Sequence, residues 1–130
     1  MRSASFATRS LGLTWLPLAV ASCSPCSNDV VVRSLSPDAA MEAVVFLRGC
    51  GAPTPLGTHV SVGPPSPNVP DGDGNVFQAL VRADTPSRAV DVELEWDGPD
   101  RLVVRYEGTA EVRWAVAIWG ALHVDFVAMP

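Results

Sequence analysis

The residues of this chain best suited to chemistry are three cysteines, two histidines and a short acidic run. Asp71-Gly72-Asp73-Gly74-Asn75 has the D-x-D-x-N spacing of a calcium loop, and hard cations favour such oxygen sets. The sixth position, however, is Val76 rather than Gly, and the twelfth is Arg82 rather than Glu. The same residues are ordinary hairpin-turn formers, so a turn is expected. His123 and Asp125 share one face of a strand, and with His59, the other histidine, they could bind zinc or run acid–base chemistry. Isolated histidines on strand faces are more often solvent-exposed bystanders, and neither a metal nor a cofactor is expected. Asp91, Glu93 and Glu95 also project from one strand face. A glycosidase would need another acid opposite them across a cleft, and a solvated acidic face explains them better. Cys50 as a nucleophile would need a histidine or cation to lower its pKa. The nearest candidates, Arg48 and His59, form no recognisable motif. There is no G-x-S-x-G, H-E-x-x-H, P-loop or dinucleotide fingerprint.

The N-terminal region decides how the cysteines are read. Residues 1–10 carry Arg2 and Arg9 and no acid. Leu11 to Ala21 is an apolar run of eleven residues interrupted by Pro17. A spanning helix needs about 20, so the run is too short to cross a bilayer. A cationic start, a short apolar stretch and then small residues is the layout of a secretory signal peptide. Two cleavage sites compete. Ala19-Val20-Ala21 is an A-x-A site that would release a chain starting at Ser22. Val20-Ala21-Ser22-Cys23 instead resembles the lipobox of bacterial lipoproteins, in which Cys23 becomes the lipid-modified N-terminus. Cysteine parity favours the second: with Cys23 lipidated, Cys26 and Cys50 remain to form a disulfide in an oxidising compartment. The chain then divides into a lipoprotein-type signal peptide (1–22), a short tether (23–29) and one domain (30–130).

That domain reads as short strands. Val90 to Trp96 alternates apolar and acidic residues, as a strand with one wet face must. Leu102, Val104 and Tyr106 repeat the pattern. Asp97-Gly98-Pro99-Asp100 between them is turn chemistry, so a hairpin is predicted. On its wet face the acids of the first strand meet Arg101 and Arg105. Glu111–Trp119 and Ala121–Ala128 read as a second hairpin, in which Trp114 and Trp119 take opposite faces, one in the core and one marking a contact surface. Val30–Leu35, Glu42–Arg48, Thr58–Val62 and Asn75–Arg82 are further strands, rich in valine and bounded by turn residues. Gly63–Gly74, with four prolines, is a loop. The expected fold is all-β: an antiparallel meander of seven to eight short strands curled into a small barrel or sandwich.

Several segments together resemble an uncharacterised family of small bacterial membrane-anchored proteins. They are Ser36-Pro37-Asp38, Ala43-Val44-Val45-Phe46, Arg48-x-Cys50-Gly51-Ala52, Thr58-x-Val60-Ser61, Gly74-Asn75-Val76-Phe77 and a closing hairpin with Trp96, Asp100, Leu102 and Tyr106. The resemblance covers nearly the whole region after the signal peptide. It implies an exported, tethered β-domain and no particular activity. The chain departs from the family pattern at Ala39, where a glycine usually follows Ser-Pro-Asp, at Gly49, where an acid often precedes the cysteine, and at Pro53 and Pro55 in a segment normally rich in threonine.

Composition narrows the function classes. The formal net charge is −5, every cation is arginine, and the region from Cys23 onward holds seven arginines against fourteen acids. Nucleic-acid binders need clustered cations, so a nucleic-acid partner is not expected. Acidity favours a basic partner. The sequence therefore points to a non-catalytic domain held by an N-terminal lipid on the outer side of a bacterial membrane (periplasmic or cell-surface), binding a protein or envelope component. A small-ligand carrier with a cavity inside a barrel, and a hydrolase using His123, Asp125 or Cys50, are the alternatives.

Overall fold

The computed structural model describes residues 12, 14, 26–51, 54–82 and 89–130. Apart from Gly12 and Thr14, the expected signal peptide lies outside the described residues, as do both cleavage sites and Cys23. Among the described residues there are nine strands and no helix. They are β1 (Ser27–Leu35), β2 (Glu42–Gly49), β3 (Gly57–Gly63), β4 (Phe77–Leu80), β5 (Val92–Trp96), β6 (Arg101–Glu107), β7 (Glu111–Ala115), β8 (Ile118–Trp119) and β9 (Leu122–Met129). The first sheet has the order β1-β2-β3-β4-β7 and the second β5-β6-β9-β8.

The fold is all-β, as the alternating patterns require, but it is a sandwich and not a closed barrel. Ala43, Val45, Val60, Val62, Phe77 and Ala79 of the first sheet meet Leu102, Val104, Leu122 and Val124 of the second in one buried cluster. Phe77 stacks on Phe126, with ring centroids 5.6 Å apart, and tilts against Tyr106 at 5.4 Å. Burying each large aliphatic or aromatic side chain of this kind contributes about 1.5–3 kcal/mol. Side chains fill the space that a ligand-carrying barrel would leave open. Two polar links also cross between the sheets. Thr58 Oγ accepts from Val90 N–H and donates to Val90 O, both at 3.1 Å, and Trp96 Nε1–H donates to Ser34 O at 3.2 Å.

The hairpin of β5 and β6 forms with Val92 opposite Tyr106 and Trp96 opposite Leu102. The second expected hairpin is different. Residues 111–119 are one continuous run that changes sheets at a corner. Val116 N–H donates to Val76 O on the first sheet's side, and Ala117 O accepts from Val124 N–H on the second's. As a result β7 pairs with β4, and only β8 stays to pair with β9. Because β7 and β8 run in one direction, β9 returns along the direction of β6 and lies parallel to it, Leu102 beside Val124. The expected antiparallel meander is broken at that point. Trp114 and Trp119, expected on two faces of one strand, belong to different sheets.

The folded region begins earlier than the sequence suggests. Cys26 and Cys50 are joined by a disulfide, S–S 2.04 Å, and Ser27, Asn28 and Asp29, which read as tether, pair with Gly49, Arg48 and Leu47. The bridge closes the open ends of the first two strands. By the chain-entropy model a ring of this size stabilises the fold by roughly 3–4 kcal/mol. Reduction, or Cys50→Ser, is expected to lower the melting temperature by many degrees in a circular-dichroism melt; equal melting curves with and without reductant would show that the bridge contributes nothing.

Between β1 and β2 the turn at 36–41 is built on Ser36. Its hydroxyl donates to Asp38 Oδ1 at 2.7 Å and accepts from Met41 N–H at 3.0 Å, while Asp38 Oδ1 also accepts from Ala40 N–H. These bonds hold the Asp38 carboxyl below its ordinary pKa. Ala39 takes the left-handed conformation, φ 57°, the one such non-glycine among the described residues. An L-residue is strained there by about 1–2 kcal/mol. Glycine's larger unfolded-state entropy offsets part of this, so Ala39→Gly is expected to stabilise the domain by about 0.5–1 kcal/mol in chemical denaturation, and a destabilised variant would contradict the strain.

Candidate functional site

The two outer faces of the sandwich differ. On the first sheet, Val30, Phe46, His59, Gln78 and Trp114 lie opposite one another across all five strands and form a single lateral row. Paired residues of antiparallel strands share a face, so this row points away from the core. Yet Phe46 is fully buried and His59 is 1% exposed. The loop from Gly63 to Gly74 covers them. Arg33 donates to Ser66 O at 2.9 Å and to Asn68 O at 2.7 Å, and Asn28 Nδ2 donates to Pro70 O at 2.7 Å and Gly72 O at 2.8 Å. Asn75 closes the loop against Val62, accepting from its N–H at 2.8 Å and donating to its O at 2.7 Å. Gly74 is required where the loop meets the sheet: a Cβ there would lie 2.7 Å from Phe77 O and from Val60 O.

Beside the loop a cleft of about 320 Å³ opens. Its floor is Gly57, where a Cβ would stand 2.9 Å from His59 Nε2 and 3.3 Å from Gln78 Nε2. Around it stand Arg48, Cys50, Thr54, Pro55, Asp73, Leu80, Arg113 and Trp114. Arg113 is the extra residue of a bulge between β4 and β7, since Gln78 faces Trp114 and Ala79 faces Val112. Arg48 donates to Asn28 Oδ1 at 2.9 Å and its Nε lies 3.2 Å from Asp73 Oδ1. Arg113 pairs with Glu111 at 3.0 Å, with both side chains half exposed. Trp114 Nε1–H donates to Gly74 O at 3.1 Å, and its ring meets His59 edge-on at 6.0 Å.

His59 stacks on Phe46 at 5.2 Å, and its Nδ1 accepts from Gly74 N–H at 2.9 Å. That bond places the ring proton on Nε2. Burial pushes the pKa of His59 down; the Asp73 carboxylate opposes this and the Arg48 guanidinium adds to it. Since the folded pKa lies below the unfolded value of about 6.5, the neutral ring's contribution is fully present above that pH and is lost as pH falls through the folded value. The melting temperature is expected to fall between pH 7.5 and pH 5 more steeply in the wild type than in His59→Gln, whose amide oxygen can still accept from Gly74. Parallel pH profiles would mean that His59 does not titrate with unfolding.

The other candidates from the sequence are scattered. His123 is exposed on β9, and Asp125, on the same face, pairs with Arg101 at 2.8 Å. Cys50 is tied in the disulfide beside the first sheet, and His59 lies on that sheet's outer face. Cys50, His123 and Asp125 are therefore not assembled into one cleft. Of the expected cross-strand pairs, Arg105 meets Glu95, whereas Arg101 reaches across to β9 instead. Asp71–Asn75 forms the end of the covering loop, and among the described residues no group of three or more His, Cys, Asp or Glu could hold a metal ion. Trp119 lines an apolar notch of about 150 Å³ with Met41, Pro99 and Leu122.

Sequence reading notes His59 as a companion to His123 and as a neighbour of Cys50, not as the buried centre of a face. Its signal was present in the alternation of β3, where it falls out of phase with the core-facing Thr58, Val60 and Val62. The loop that buries it gave no such sign. No helix among the described residues is long and apolar enough to cross a membrane. Comparison of the chain with protein-family models, with curated proteins and with solved structures gives no match.

Proposed function

We propose that this chain is an exported, lipid-tethered, non-catalytic β-domain that binds a basic protein or another envelope component outside the cytoplasm. The Cys26–Cys50 disulfide carries the reading. Disulfides persist in oxidising compartments and are rare in the cytosol. Pairing these two leaves Cys23 as the odd sulfur, at the position where the lipobox-like segment would place an acyl anchor. Two residues, Ser24 and Pro25, separate it from Cys26, a reach of about 10 Å over three chain steps. A lipid on Cys23 would thus hold the first sheet close to the bilayer, and two or three acyl chains anchor stably where one is marginal.

The outer face of the second sheet suits a basic partner. It is open to solvent and carries Glu93, Glu95 and Asp125 beside the exposed apolar residues Ile118, at 61%, and Val127, at 44%. Arg101 and Arg105 neutralise part of this charge through their pairs with Asp125 and Glu95. Such exposed pairs contribute little to stability, about 0–1 kcal/mol, so the face is free to exchange partners.

Intact-mass analysis of the membrane fraction is the test. The expected mass is that of a chain beginning at Cys23, with acyl chains added and two hydrogens lost to the disulfide. A product found in the cytosol with residues 1–22 attached and both cysteines reduced would overturn the reading. Mature chain starting at Ser22 and free of lipid would retain export and remove the tether.

A further inference from the structure

We propose that the cleft beside His59 binds a small molecule bearing a single carboxylate on an apolar body. The polar groups facing it are mostly donors. His59 Nδ1 is spent on Gly74 N–H, so Nε2 presents its proton. That nitrogen has no hydrogen-bond partner among the described residues, and the same holds for the side-chain amide of Gln78. Neither group is sealed from solvent, because no buried side-chain polar atom is left without a partner. Both nitrogens border the space left by Gly57, which lacks the Cβ that would close it. The guanidinium of Arg113, half exposed and bonded by one nitrogen to Glu111, has further N–H groups to offer.

Charge sets the class of ligand. The cleft is lined by two arginines, Arg48 and Arg113, and one acid, Asp73, and Glu111 pairs with Arg113 from outside the lining. The cavity under the covering loop has one of each, the notch at Trp119 has an acid alone, and the groove between β1 and β5 has Asp91 and Glu93 with no cation. Asp73 and Glu111 already balance the two guanidinium charges, so the cleft, in a domain that is otherwise acidic, matches a monoanion better than a dianionic phosphate. Guanidinium and carboxylate are geometrically suited to paired hydrogen bonds. The indole of Trp114 has its N–H engaged with Gly74 O and offers only its ring. With Leu80 and Pro55 that ring gives the ligand an apolar wall. At about 320 Å³ the cleft lies at the small end of ligand pockets. This assignment rests on the cleft and is independent of the tether on Cys23.

The test is an NMR titration of the oxidised protein, following the Trp114 indole N–H and the Gly74 amide. The probes are propionate, benzoate and N-acetyl-phenylalanine, with N-acetyl-phenylalanine amide and inorganic phosphate as comparisons. At least one acid is expected to shift both resonances saturably, and the amide and phosphate to bind at least tenfold more weakly. Arg113→Gln is expected to weaken the acid about tenfold or more with an unchanged melting temperature, and Gln78→Met to weaken it as well. Absence of a saturable shift from all three acids, equal binding of acid and amide, or wild-type affinity in Arg113→Gln would overturn the site. Tighter binding of phosphate would overturn the monoanion assignment.

Discussion

Phe46 and His59 stand on the outer face of the first sheet, and the need to shield them organises this half of the molecule. Neighbouring positions on β2 and β3 supply the core between the sheets, so both faces of these strands are buried. The shield is a proline-rich loop without strand or helix of its own. It stays in place because side chains of the sheet bond its carbonyls: Arg33 takes those of Ser66 and Asn68, and Asn28 those of Pro70 and Gly72. Proline, lacking an N–H, cannot supply a regular ladder. Polar side chains therefore do for this loop what a neighbouring strand would do elsewhere.

The covering loop also creates the chemistry of the cleft. Gly74 approaches the sheet closely enough to donate to His59, and that hydrogen bond selects the tautomer that turns a donor toward Gly57. The disulfide fixes one rim, since Cys50 lines the same cleft, and the bulge at Arg113 supplies a cation at another. The second sheet contrasts with this. Its outer face is solvated and carries charges paired across the strands, with two exposed aliphatics among them. The sandwich thus presents one capped face with a small donor-lined cleft and one open face with an acidic character.

Much of the fold was legible because period-two alternation is a local property. Val90–Trp96 and Arg101–Tyr106 could be paired from their pattern and the Asp-Gly-Pro-Asp turn, and they do pair. The run 111–119 reads as one side of a hairpin, but only Ile118 and Trp119 pair with β9, because a strand that changes sheets keeps its alternation through the corner. Only the competing hydrogen bonds of Val116 to Val76 and of Val124 to Ala117 reveal the change. His123 and Asp125 were legible as a pair on one face, but their isolation from Cys50 depended on which sheet each strand joined.

The sequence by itself determined that the chain is all-β and that a hairpin turn falls at Asp97-Gly98-Pro99-Asp100, because turn chemistry and alternation act over short stretches. The tertiary structure alone decided that the barrel stays open as a sandwich, that β9 lies parallel to β6, and that a proline-rich loop buries His59. Those outcomes follow from long-range hydrogen bonds and the burial of whole faces, which join residues such as Asn28 and Gly72 that no local pattern relates.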